Sequence, residues 1–231
     1  MHGWSRCRGA AAPTSVHGGF HVETGLPEQP GRYVFPVADP DALRDLTASI
    51  TTPNVWVKVC APRAEVAPVL PSGWEFDVPQ FLMSTALATA SAYAGRCDRA
   101  PDGYMVETVD RDGTGIIDCR VLDAATGDLA ARGQAAVTDA STPRSAVYDM
   151  ISTSQAHRRR GLGSLVMNTL SAHVAERGAA HGILVASPEG RALYHSLGWQ
   201  LHSPVSAARI PPLPEPAADP GPGQASASLR A

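Results

Sequence analysis

Residues 158–163 read Arg158-Arg159-Arg160-Gly161-Leu162-Gly163, between an apolar stretch ending near Thr153 and an amphipathic pattern that runs to Glu176. This order predicts a strand that delivers a basic, glycine-bearing turn into a helix N-terminus. Such a turn binds anions, because unpaired backbone N–H groups and the positive end of the helix dipole converge on one spot. Two glycines let a ligand approach the backbone, and three guanidinium groups match phosphate oxygens.

Downstream, Leu162, Leu165, Val166, Thr169, Leu170, His173 and Val174 recur at three- and four-residue steps. They predict a helix over residues 162–176 with one stripe on a core and Ser164, Asn168, Ser171 and Glu176 facing away. Gly178 ends it. The run Ile183-Leu184-Val185-Ala186 predicts a strand over residues 182–186, covered on both faces. Strand, loop, helix and strand form a crossover unit that puts the arginine loop at a strand's carboxyl end, where open α/β sheets bind ligands.

The glycine spacing excludes better-known phosphate loops. A Walker loop needs G-x-x-x-x-G-K-[ST] and a dinucleotide fingerprint needs a third glycine after Gly163, and neither is present. The pattern R-x-x-G-x-G resembles the pyrophosphate loop of the GNAT (GCN5-related) N-acetyltransferases. At the right distance follows Ser187-Pro188-Glu189-Gly190-Arg191-Ala192-Leu193-Tyr194-His195-Ser196-Leu197-Gly198-Trp199. It resembles the family's second signature: a strand end, a short helix carrying A-x-x-L-Y or a close variant, and L-G-[FW] opening the next strand.

The resemblance covers residues 103–201 and implies an α/β fold with a mixed, mostly antiparallel sheet flanked by helices. It implies acetyl-CoA as co-substrate, no metal, and direct acetyl transfer to a small primary amine such as an amino acid, an amine metabolite or an amine-bearing antibiotic. The alternatives are a protein N-terminus or lysine as acceptor, and a non-catalytic acyl-CoA-binding regulatory module. By the same resemblance, Arg158, Arg159, Arg160, Gly161, Leu162, Gly163 and Ser164 hold the pyrophosphate. Backbone groups of Ile151 and Thr153 take the pantetheine arm and help polarise the thioester carbonyl, Ser187 and Arg191 complete the cofactor contacts, and Tyr194 donates a proton to the departing sulfur.

Two departures from the family pattern bear on catalysis. The glutamate that some members carry eleven residues before the loop is Val147 here; Asp149, two residues along on the same strand face, is the substitute base, directly or through water. A satisfied strand-end carboxylate is the other reading of Asp149, and Glu107 and Asp118 are secondary candidates. The asparagine often found seven residues before the tyrosine is Ser187, which keeps a hydroxyl for CoA or for the turn.

The chain has 231 residues, 44% of them hydrophobic, which suffices for one large domain or two small ones. A net charge of -3 gives no reason to expect nucleic-acid binding. With no apolar run long enough for a bilayer and no apolar signal-peptide core, a soluble cytoplasmic protein, monomeric or homodimeric, is expected. Cys7, Cys60, Cys97 and Cys119 are scattered, and the eight histidines lack ligand spacing, so reduced thiols and no metal site are expected.

Residues 1–31 show no sustained period and are expected to be a flexible segment. Residues 32–99 form an amino-terminal lobe with a helix over 41–50, started by Asp39 or Asp41, and a strand over 55–60. Residues 100–210 hold the catalytic domain, with strands over 104–109, 116–122 and 129–137 joined by the turns Arg111-Asp112-Gly113 and Thr126-Gly127-Asp128. Residues 211–231, rich in proline and alanine, are expected to be disordered.

Residues 57–76 resemble residues 184–201: Ala61-Pro62 matches Ser187-Pro188, and Gly73-Trp74 matches Gly198-Trp199. Either the chain holds a degenerate second GNAT-like unit that lacks the arginine loop, or a common strand–helix–strand pattern occurs twice. The family usually places two helices between its first two strands as the wall of the acceptor pocket, and only residues 111–115 stand there. The amino-terminal region, including a helical stretch over residues 81–93, is the expected replacement; a plain packing helix is the other reading of that stretch.

Overall fold

The computed structural model describes residues 1–93, 95–97, 100–111, 113–138 and 143–212. Its first half runs α1 (His2–Arg8), β1 (Thr14–Val16), β2 (Gly19–Leu26), β3 (Gln29–Phe35), α2 (Pro40–Ser49), β4 (Trp56–Val59), α3 (Arg63–Val66) with a following 3₁₀ turn, β5 (Glu75–Phe76), β6 (Gln80–Ala86) and α4 (Ala90–Tyr93). The second half runs β7 (Tyr104–Arg111), β8 (Ile116–Asp123), β9 (Leu129–Thr138), β10 (Ser145–Thr153), α5 (Leu162–Glu176), β11 (His181–Ala186), α6 (Pro188–Ser196) and β12 (Gln200–Arg209). The strands join in one sheet of order β1-β2-β3-β4-β12-β6-β11-β10-β9-β8-β7, with β5 also on β12. Among the described pairs, β3/β4 and β10/β11 are parallel and the rest antiparallel, the mixed, mostly antiparallel sheet expected.

Both parallel pairs have a helix between their strands, and both are followed by a short helix and a glycine-tryptophan strand start. β3–α2–β4–α3–β5 therefore repeats β10–α5–β11–α6–β12. The units interlock through their last strands. β6, from the first, lies between β11 and β12, and residues 206–209 of β12 lie between β4 and β5 of the first unit. Trp199 packs in the core under α5, which includes Met83, Leu162, Val166 and Leu170, and Trp74 packs on the core under α2 and α3, which includes Phe35, Leu43 and Val59. The internal likeness in sequence thus coincides with a repeated order of strands and helices.

Register carries one side of the sheet across the whole molecule. Val147 pairs with Ile183, Ile183 with Ser84, Gln80 with Val205, Ala207 with Lys58, and Trp56 with Arg32. Because side chains alternate along each strand, Asp149, Gln80, Lys58 and Arg32 share this face, while the cores of α2 and α5 lie on the other. Helix α1 crosses the shared face.

Three expectations are corrected. Residues 80–86 form β6 rather than part of a helix, because the slot between β11 and β12 pairs the backbone on both edges and seats the Met83 side chain in the α5 core; only Ala90–Tyr93 is helical. Tertiary pairing overrides alanine-rich propensity there. Residues 1–31 carry α1, β1, β2 and the start of β3 in place of an irregular segment, since Gly3, Ser5 and Cys7 are buried and Gln134 donates to the Cys7 carbonyl at 2.9 Å. Ser171 is buried, within 2.9 Å of the Tyr148 hydroxyl, because α4 covers that side of α5. Elsewhere elements fall where the periodicity predicts, although β11 is covered fully on one face alone, Val185 being 50% exposed; Asp39 caps α2, accepting from the Asp41 and Ala42 amides at 3.1 Å each. Asp112 and most of the expected tail, residues 213–231, lie outside the described residues.

Candidate active site

β10 and β11 pair only at Ser145, Ala146 and Val147. β11 continues along β6 to Ala186, whereas β10 bulges: its register on β9 shifts between Asp149 and Ser152, and Met150 takes φ 56°. A left-handed conformation at a non-glycine costs roughly 1–3 kcal/mol and is held where the surroundings impose it. The bulge parts the two strands, so Ile151 and Thr153 have no ladder partner on the β11 side among the described pairs. The Ile151 side chain turns towards α5, and Gly133 on β9 leaves it room: a Cβ there would run into Ile151 and Val166.

The arginine loop closes the mouth of this gap. After a 3₁₀ turn at Gln155–His157, Arg158 Nε donates to the Thr153 carbonyl at 3.3 Å. Arg160 donates to the Tyr104 hydroxyl at 2.9 Å, and that hydroxyl also meets His157 Nδ1 at 2.9 Å. Arg159 and Gly161 have φ 63° and 79°. Gly161 is the N-cap of α5 and supplies no side-chain cap; the first helical bond is Leu165 N–H to the Gly161 carbonyl, 3.0 Å. The amides of Leu162, Gly163 and Ser164 therefore point out of an uncapped helix end beside three arginines. The equivalent end of α2 is closed by Asp39, which explains why the first unit has no corresponding anion site. A concavity of about 270 Å³, lined by residues 129–132 and 152–154, lies on the β9 side of the end of β10. These features fit a pyrophosphate and its extended arm.

The remaining sequence-predicted residues divide. Tyr194 on α6 is buried against Trp199, ring centroids 6.1 Å apart; burial first, and the charge of Asp149 second, push its hydroxyl up to about 12. Ser187 serves the turn, accepting from the Gly190 amide at 3.1 Å. Arg191 lies over the Phe81 ring at 4.5 Å. Gly163 permits close packing of α5 on α6: a Cβ there would stand 2.9 Å from Leu193 Cδ2. Asp149 is gripped by Arg8 of α1, at 2.5 Å from Nε and 3.0 Å from the second guanidinium nitrogen. Glu107 and Asp118 are not brought to the gap; they pair with Arg120 and Arg111 on β7 and β8. The larger concavity, about 410 Å³, lies along that outer β7–β9 face and reaches the gap only at Met150.

Sequence reading missed α1 and three residues on the face it crosses: Arg32, Lys58 and Gln80. A signal existed, because Lys58 interrupts an apolar strand and is the only lysine in the chain.

Solved structures share this architecture. A GCN5-related N-acetyltransferase from Kribbella flavida superposes with a TM-score of 0.61 at 14% identity, covering 90% of this chain and 92% of that one. A putative GNAT-family acetyltransferase from Novosphingobium aromaticivorans gives 0.55 at 17% identity over 86% and 89%. A tandem GNAT protein from the clavulanic acid biosynthesis pathway gives 0.50 at 14% identity over 76% and 69%. No curated protein sequence is significantly similar. These likenesses show a GNAT fold; residues 69–206, more than half of the chain, match the family described as "Probable histone acetyltransferase Rv0428c C-terminal", and the chain belongs to that family.

Proposed function

We propose that the protein is an acetyl-CoA-dependent N-acetyltransferase whose acceptor is a small primary amine. The observation that carries this reading is the parting of β10 and β11 after Val147, with an uncapped, arginine-flanked helix end at its mouth and Tyr194 beside it. Arg158, Arg159, Arg160 and the amides at the start of α5 bind the pyrophosphate, and the backbone edge that Ile151 and Thr153 turn to the gap, where the Thr153 carbonyl accepts from Arg158, takes the pantetheine arm. An alkylammonium, with a pKa of roughly 10, must lose a proton before it can attack. Asp149 accepts that proton, directly or through water, with Arg8 fixing its orientation. As the N–C bond forms and the C–S bond breaks, the nitrogen gives up its second proton to solvent, and Tyr194 gives its proton to the sulfur and regains one from solvent; a hydroxyl held near 12 stays protonated at neutral pH and is a competent donor.

The family description favours a protein lysine as a second reading. Against a basic tail stands the positive surplus on the shared face, where Arg8 pairs with Asp149 and Arg32 and Lys58 lie within reach of its charge. The test measures CoA thiol release from acetyl-CoA with a panel of small amines and with lysine peptides, alongside the melting temperature with acetyl-CoA. Turnover on small amines with a raised melting temperature supports the proposal. Turnover confined to peptides would overturn the acceptor class, and no thermal shift would overturn the acetyl-CoA site.

A further inference from the structure

Lys58 points from β4 onto the shared face in a largely buried position, where its described partner is the Gln80 side-chain oxygen at 2.8 Å rather than a carboxylate. Arg32, one strand away on β3, stacks on the Trp4 ring of α1 at 4.1 Å and has a buried Nε without a hydrogen-bond partner. Burial of a cation without a counter-charge is costly, and a bound anion offsets that cost. The charged groups acting on Lys58 are Arg32 and Arg8, which oppose its charge, and Asp77 and Asp149, which favour it. Arg8 and Asp149 already neutralise each other. Three cations against two carboxylates leave one positive charge, enough for a monoanion.

We propose that Lys58 and Arg32, with the Gln80 amide, form a carboxylate subsite in the amino-terminal unit that holds the acid group of a zwitterionic acceptor while its amine faces Asp149 and the gap in the catalytic unit. The geometry makes the acceptor a small amine that carries a free carboxylate, and it gives the first unit a use although it has no CoA loop. Trp4 holds the guanidinium plane of Arg32 in place. Burial first, and the charge of Arg32 second, lower Lys58 to about 7, so a bound carboxylate draws a proton onto it. The subsite rests on the acetyl-transfer reading above.

As the only lysine, Lys58 supplies a single side-chain nitrogen signal in protein labelled with [15N]lysine. The probes are L-α-amino acids and straight-chain ω-amino acids, each against its carboxamide, with acetyl-CoA present at pH 8. The expected result is that at least one acid moves the Lys58 signal saturably to the ammonium position while its carboxamide does not. In CoA release, the kcat/KM of that acid should exceed that of its carboxamide by about 10² or more, the scale on which sites built for a polar group reject analogues lacking it. Lys58→Met and Arg32→Met should each bring the ratio towards one while acetyl-CoA still raises the melting temperature. Equal turnover of acids and carboxamides, or a Lys58 signal that no acid moves, would overturn the subsite with the acetyl-transfer reading intact. Absence of the acetyl-CoA thermal shift in the native protein would overturn that reading itself.

Discussion

Arg8, in the first helix of the chain, holds both carboxylate oxygens of Asp149 at the bulge of β10, across 141 positions of sequence. The pair ties the amino terminus to the site where the strands part. Arg8 is half exposed but the Asp149 side chain is mostly buried, so removing Arg8 should cost the fold more than the ~1 kcal/mol of a surface pair. The loss should also reach the chemistry, since Asp149 loses its orientation: Arg8→Gln should lower kcat by about tenfold or more with acetyl-CoA affinity unchanged. Denaturant unfolding and steady-state kinetics on the same preparation separate the two effects; a fall in stability matching the whole loss of turnover would count against the positioning role.

Tyr194→Phe removes one hydroxyl from a buried ring whose packing on Trp199 does not depend on it. Turnover should fall by ~10², as for a lost general acid, with acetyl-CoA affinity preserved. Because burial holds the native hydroxyl near 12, the native rate should show no alkaline limb from this group below about pH 10. A pH–rate profile under chemistry-limited conditions checks both statements.

Gly163 separates packing from phosphate binding. A Cβ at this position would stand 2.9 Å from Leu193 Cδ2, the far end of a flexible side chain that can turn aside, so overpacking in Gly163→Ala should cost about 1 kcal/mol or less. If the collision is the cause, Leu193→Ala in the same chain should recover part of the stability and of the acetyl-CoA affinity. Thermal denaturation of the two single variants and the double variant measures the coupling.

Lys58 titrates near 7 in the folded chain against an ordinary 10.5. Between these values the unfolded chain binds a proton that the folded chain lacks, so this residue makes stability rise with pH above about 7 and fall as pH drops back through it. The charged groups acting on it are Arg32 and Arg8, which oppose its charge, and Asp77 and Asp149, which favour it. Lys58→Met should therefore raise the melting temperature most near pH 6–7, with the difference shrinking by pH 9; each kcal/mol corresponds to about 2–4 °C at this chain length. Parallel melting curves with a constant offset would contradict the assignment.

The catalytic unit was legible in the sequence because its signals are local. The R-x-x-G-x-G loop, the 3.6-residue stripe from Leu162 to Val174 and the run from Ile183 to Ala186 each specify conformation through neighbours a few residues away, and α5 and β11 occur where that reading put them. The turns flanking β8 set the antiparallel meander in the same way, and Gly73-Trp74 beside Gly198-Trp199 disclosed the repeat. The serine at 187 could be read as a contact of either the ligand or the turn; only its distance to the Gly190 amide shows the turn.

What the tertiary structure decided depends on partners remote in the chain. Residues 80–86 become a strand because the gap between β11 and β12 leaves two edges unpaired, and backbone groups at such edges take any strand that satisfies them. Helix α1 has no strong pattern of its own and is held by the face that Val147 and Gln134 present to it. The meeting of Arg8, Arg32, Lys58 and Asp149 follows from sheet register across two interlocked units, a relation that no spacing within the sequence encodes. Local chemistry thus determined the loop, the helix and the signature that carries Tyr194, while the exchange of last strands between the two units placed a largely buried lysine and arginine on the same sheet face as Asp149.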